Sequence, residues 1–204
     1  RVDRRQRQMC IRDRSWERTI VMNTGQSQWL DVDHYVTSPN ADDRPNGVRI
    51  DLLVIHNISL PPNVFEGNYV DDLFTNCLQS SLHPYFAQIA HLRVSAHLYI
   101  ARVGSVTQYV PLHRRAWHAG ASNFRGVEAC NDFSIGIELQ GADHVPYTDV
   151  QYEQLARITR AIRHIYPTIT EDRIVGHSDI APGRKTDPGD AFDWSRYRAA
   201  LRGG

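Results

Sequence analysis

Two of the ten histidines in this sequence, His56 and His177, stand at the ends of short apolar runs, DLLVIHNI and IVGH. Ten residues after the second comes Asp187, inside the turn-rich segment APGRKTDPG. Two imidazoles and a carboxylate form a three-ligand set that leaves one coordination position open. That is the arrangement of a catalytic metal site, whereas structural zinc sites close with four ligands and often use cysteine. The three cysteines, Cys10, Cys77 and Cys130, are not near these residues in sequence and show no CxxC spacing. They argue against a thiolate site and a disulfide framework, and a reducing compartment fits them best. A His₂-carboxylate set also suits iron, but the spacing usual for iron oxygenases, with His and Asp one residue apart, is missing at His56 and His177. Spacing alone leaves the question open, because a histidine taken singly is more often a hydrogen-bonded core or surface residue than a ligand.

These side chains need elements to position them. The run Asp51 to Ile58 is apolar on both faces until its polar close at His56 and Asn57, as expected of a central strand covered on either side. A loop rich in Pro, Gly and Asn from Leu60 to Asn68 should follow, then a short helix around Asp71 to Leu78. Val94 to Ile100 and Ser105 to Val110 read as a β-hairpin turning through Gly104. In Phe133 to Leu139 the alternation sends Ile135, Ile137 and Leu139 to one face and Gly136 and Glu138 to the other. Thr148 and Gln151 form a capping box, and Tyr152, Leu155, Ile158, Ile162 and Ile165 recur at helical spacing until Pro167. Ile174 to His177 should be a short strand, and Trp194 to Leu201 a final helix. Interleaved strands and helices without repeats predict a single α/β domain with a central mixed β-sheet flanked by α-helices.

Composition narrows the partners. Lys plus Arg and Asp plus Glu both number 23, so no global basic field exists to hold nucleic acid or an anionic membrane. The first 21 residues carry seven Arg against three acids, a net +4 that leaves −4 for the rest. Lacking apolar periodicity, they read as a disordered or non-native extension ahead of a domain from Met22 to Gly204. With no apolar run of membrane-spanning length and no secretory h-region, a monomer in the cytoplasm is the expectation.

The segments VIHNISLPP, HLRVSAHLYI, RAWHAG, CNDFSIGIELQG and GHSDIAPGRKTDPG, in this order, resemble the AmpD family of 1,6-anhydro-N-acetylmuramyl-L-alanine amidases, within the wider amidase-2 and peptidoglycan-recognition fold. The resemblance covers residues 28 to 201 and implies a zinc site in a surface groove. It assigns one Zn²⁺ to His56, His177 and Asp187, the acid/base role to Glu138, and stabilisation of the developing oxyanion to Lys185. In an extended loop Lys185 and Asp187 would project to one side. The implied activity is hydrolysis of the lactyl–L-Ala amide of 1,6-anhydro-muropeptides in cell-wall recycling, with a small muropeptide as the partner. Asn57, Tyr85, Arg93, Ala116 and Trp117 match its substrate contacts, while His97 and His118 are expected to support the ligands or line the groove and not to bind the metal themselves. Ala129 departs from the basic residue that members of the family often carry before Cys-Asn-Asp. Two alternatives remain: a recognition module of the same fold that binds fragments without cleaving them, and an amidase acting on the intact polymer, which would require export.

Overall fold

The computed structural model describes residues 28–203, so the expectation for residues 1–21 lies outside them. In chain order the elements are β1 (His34–Tyr35), β2 (Ala41–Asp42), β3 (Leu52–Ile58), α1 (Tyr69–Phe74), α2 (Pro84–Ile89), β4 (Leu98–Ile100) and β5 (Val106–Gln108). They continue as β6 (Arg115–Ala116), β7 (Asn123–Phe124), β8 (Val127–Glu128), β9 (Ser134–Gln140), α3 (Asp149–Ile165), β10 (Ile174–Gly176), α4 (His177–Ile180) and α5 (Trp194–Arg202).

Six strands make one sheet in the order β1-β5-β4-β9-β3-β10. Only β4 and β5, the expected hairpin, run antiparallel; the other pairings are parallel, so the sheet is mixed. Strands β3 and β9 sit at its centre, and Leu52 to Ile55 are fully buried, as an apolar run covered on both faces requires. One face of the sheet, through Leu53, Ile55, Ile135 and Ile137, packs on Leu155, Ile158 and Ile162 of α3 and on Tyr197 and Leu201 of α5. The opposite face carries two smaller clusters, one with Leu73, Phe74, Phe86 and Tyr109, the other with Leu52, Val54, Phe133 and Ile180.

Helix α3 starts where the capping box predicts: Thr148 Oγ1 accepts from the Gln151 amide, and the Gln151 side chain accepts from Thr148 N–H. Ile165, assigned to the buried stripe by periodicity, is 40 % exposed at the last residue of the helix. Periodicity marks a face but not where its cover ends. The first helix is shorter than expected, and IVGH does not end as a strand: β10 stops at Gly176 and His177 opens α4. Asp179 explains the switch, since its carboxylate accepts from the Gly176 amide at 2.7 Å and turns the chain. Of the cysteines, Cys130 is a buried free thiol and Cys10 lies outside the described residues. Among the described residues no helix is long and apolar enough to cross a membrane.

Candidate metal centre and active site

Parallel pairing places His56 directly beside Glu138, and Glu138 beside Tyr99, so the three line one face at the carboxyl ends of adjacent strands. His177 joins them one residue past the Gly176–Ile55 pair. Asp187 arrives on a loop tied down at several points. Ser178 N–H donates to the Asp187 carbonyl, while Asn57 Nδ2 and Tyr147 Oη both donate to the Pro188 carbonyl. Gly189 lets that loop lie on its neighbour: its φ is +81°, and a Cβ there would stand 2.2 Å from Asp143 Cα.

Three atoms converge. His56 Nδ1 and His177 Nδ1 are 2.9 Å apart, and each is 3.0 Å from Asp187 Oδ2. Both rings are buried, and the carboxylate is 13 % exposed. Burial holds the His56 imidazole down to about 4, so it is neutral at physiological pH, and His118 behaves likewise.

The surrounding hydrogen bonds then assign the tautomers. Ser134 Oγ donates to the Cys130 carbonyl at 2.5 Å and so accepts from His118 Nε2 at 3.1 Å. That leaves His118 Nδ1 as the acceptor for His56 Nε2–H at 2.9 Å, and His56 Nδ1 keeps its lone pair. His177 Nε2 donates to the Ala119 carbonyl at 3.0 Å, which leaves its Nδ1 turned towards the other two atoms. Two imidazole nitrogens and a carboxylate oxygen meet at one point, and a cation among them satisfies all three. Ligands on a tetrahedral ion with bonds of about 2.0–2.1 Å stand about 3.3 Å apart, a few tenths of an ångström wider than this triangle. His56, His177 and Asp187 form a cluster that could hold a metal ion.

Glu138 lies beside this cluster. Its Oε2 is shut off from solvent with no hydrogen-bond partner among the described residues. Burial, and after it the charge of Asp187, raises its pKa well above the usual carboxylate range, while Lys185 pulls the other way. The Lys185 ammonium therefore acts on the site, and its charge also bears on His56. It does so from a turn rather than the extended loop expected, because the amides of Arg184 and Lys185 both return to the Ala181 carbonyl.

A cavity of about 190 Å³ opens against His177, lined also by Arg93, Trp117, Arg184 and Lys185. Trp117 borders this space. Arg93 is exposed, its Nη1 3.3–3.5 Å from the carbonyls of Ala90, His91 and Leu92. The other sequence-derived substrate contacts are not brought to the cavity wall. Tyr85 packs half-buried from α2 against the cluster around Phe86. Ala116 is fully buried, its backbone laddered to Ala41, so its methyl faces the core. Asn57 spends its amide group on Asp143 and Pro188. Sequence reasoning missed the residues around the histidines: Ala119, Asn131, Ser134 and Arg184. Their links to the site span up to 65 positions, and no local pattern marks them.

A family model described as N-acetylmuramoyl-L-alanine amidase, Amidase_2, matches residues 46–190. The 1,6-anhydro-N-acetylmuramyl-L-alanine amidase AmpD of Escherichia coli K12 is 57 % identical over 173 residues, 85 % of this chain and 94 % of that protein. A crystal structure of a selenomethionine AmpD derivative superposes with a TM-score of 0.84 at 54 % identity, covering 88 % of this chain and 99 % of the other. The E. coli amidase AmiD, solved with the substrate anhydro-N-acetylmuramic acid-L-Ala-D-γ-Glu-L-Lys, matches at 29 % identity and a TM-score of 0.56, over 77 % of this chain and 60 % of that one. The chain belongs to the Amidase_2 family of N-acetylmuramoyl-L-alanine amidases, and within it to the AmpD group of 1,6-anhydro-N-acetylmuramyl-L-alanine amidases.

Proposed function

We propose that this chain is a zinc-dependent amidase that hydrolyses the amide between the lactyl group of a 1,6-anhydro-muramic acid and L-alanine, in cell-wall recycling. The observation that carries the reading is the convergence of His56 Nδ1, His177 Nδ1 and Asp187 Oδ2, next to the Glu138 carboxyl group, whose proton affinity burial raises. The donor set is nitrogen and oxygen with three protein ligands, which fits catalytic zinc. AmpD relatives carry the anhydro sugar in their names, and the AmiD structure is a complex with an anhydro-muropeptide, which supports the substrate class.

When bound, Zn²⁺ would polarise the amide carbonyl as a Lewis acid and make attack by water feasible near neutral pH. Glu138 takes the proton from the attacking water and delivers it to the departing alanine nitrogen, so the bond breaks to give a free carboxyl and a free amine. A carboxyl with raised proton affinity suits both halves of that transfer. Lys185 holds positive charge near the oxygen that becomes negative during attack. Arg93, beside the cavity, pairs with a peptide carboxylate, and Trp117 offers a ring for a sugar face.

The test is mass-spectrometric assay of the purified full chain on anhydro-muramyl tripeptide, with chelator and after restoring Zn²⁺. Release of free tripeptide that stops with chelator and returns with Zn²⁺ supports the reading. Stoichiometric zinc with no release would replace it by a fragment-binding module.

A further inference from the structure

We infer that the dipeptide His118–Ala119, pinned by Asn131 and Ser134, is the common holder of both histidine ligands, with His118 the positioning residue for His56. The inference rests on the metal-site reading above and adds what orients the ligands. Each ligand imidazole faces the triad with Nδ1 and needs a partner for Nε2–H. His56 Nε2 finds the His118 ring at 2.9 Å, and His177 Nε2 finds the very next residue, the Ala119 carbonyl, at 3.0 Å. Two ligands 121 positions apart are thus gripped by adjacent residues of one loop.

That loop is built to stay still. Asn131 Oδ1 accepts from both of its amides, His118 N at 3.1 Å and Ala119 N at 2.8 Å. Arg184 Nη2 donates to the Ala119 carbonyl at 2.7 Å and to Ala121 at 2.6 Å. The segment bearing Asn131 is held in turn by Arg44, whose guanidinium donates to the carbonyls of Asn131, Asp132 and Ser134 at 2.8–2.9 Å. Beneath the His118 ring lies Gly136, where a Cβ would come within 2.5 Å of Cγ and Nδ1, so the strand gives up a side chain to admit the imidazole. His56 and His118 cross edge to face at 85°, which aims one ring nitrogen at the other. Ser134 has a single hydroxyl proton, and with it committed to Cys130 the hydroxyl can only accept from His118. The relay therefore selects the His118 tautomer that accepts from His56, and so the His56 tautomer that offers Nδ1 to a metal. Partners of this kind typically change metal affinity by about 10–100-fold when removed.

Two substitutions at one position separate this role from filling space. His118→Asn keeps an acceptor at the δ position, and His118→Leu keeps bulk without one. The full chain and both variants are stripped and reloaded with Zn²⁺ or Co²⁺, and read by chelator competition and by the Co²⁺ d–d spectrum. The expected result is about 10–100-fold weaker Zn²⁺ binding and an altered spectrum in His118→Leu, with most of the affinity regained in His118→Asn. Parent-like affinity and spectrum in His118→Leu would overturn the inference. If that variant does not fold, Ser134→Ala decides by the same two readouts, weaker binding supporting the relay and parent-like values rejecting it. A parent chain that binds neither ion would instead reject the underlying metal site, so the two failures are told apart before any variant is made.

Discussion

Strands β3 and β9 send alternate residues into two unlike environments. Leu53, Ile55, Ile135 and Ile137 enter an apolar layer beneath α3 and α5. On the other face Leu52, Val54 and Ser134 begin apolar or small and lead to Gly136, His56 and Glu138 at the carboxyl end. The first face works by area: every side chain contributes through burial, and no single direction is required of it. The second works by direction, because each nitrogen and oxygen has one partner at one distance and a lost partner is not replaced by a neighbour. Substitutions on the helix face should therefore change stability with the chemistry intact, and those on the site face the reverse.

The largest effect expected is at the triad. Asp187→Ala or His56→Ala should lower kcat/KM by at least about 1,000-fold and reduce bound zinc, measured by turnover of anhydro-muramyl tripeptide and by elemental analysis, since a metal supplies several kcal/mol to such a transition state. Either variant retaining both properties would break the contrast between the faces. Glu138→Gln should keep its zinc while kcat falls about 100- to 10,000-fold, as loss of a general acid/base predicts. Zinc loss there would mean that a ligand had been taken for the base. Lys185→Ala, which removes a charge and no ligand, should reduce kcat by about 100- to 1,000-fold with unchanged metal content.

On the helix face, Ile137→Ala should cost about 2–5 kcal/mol in denaturant unfolding, with zinc affinity and kcat of the folded fraction equal to the parent's. A changed zinc affinity would show that the faces are coupled through the strand. Smallest of all, Thr148→Ala removes one half of the capping box and should cost about 1 kcal/mol with no change at the metal.

The elements were legible where the signal is local. β3 and β9 announced themselves by an unbroken apolar run and a clean alternation, and α3 by its cap and stripe. Those same patterns put His56 in the polar close of its strand and Glu138 on the side away from the apolar face. His177 was assigned to a strand because nothing in IVGH distinguishes a strand end from a helix start; the deciding bond is a side chain of the next turn, Asp179 to Gly176 N–H. Lys185 was assigned to the site by the family resemblance, with an extended loop expected to carry it, whereas the structure closes that segment in a turn on Ala181. Ala116 and Asn57 were named only through the family resemblance; in the fold Ala116 is buried and the Asn57 side chain donates to the Pro188 carbonyl of the Asp187 loop. His118 was legible as a support or groove residue beside the ligands, but the bond it makes to His56 and the hold of Ala119 on His177 were not, because they join segments far apart in sequence that only folding brings together.

One measurement addresses the central claim without relying on turnover: anomalous diffraction at the zinc edge from crystals of the full chain. The account predicts a single strong peak about 2.0–2.1 Å from His56 Nδ1 and His177 Nδ1 and about 2.0–2.2 Å from Asp187. A peak bound elsewhere, or these three side chains ordered around no peak at all in zinc-loaded crystals, would contradict it.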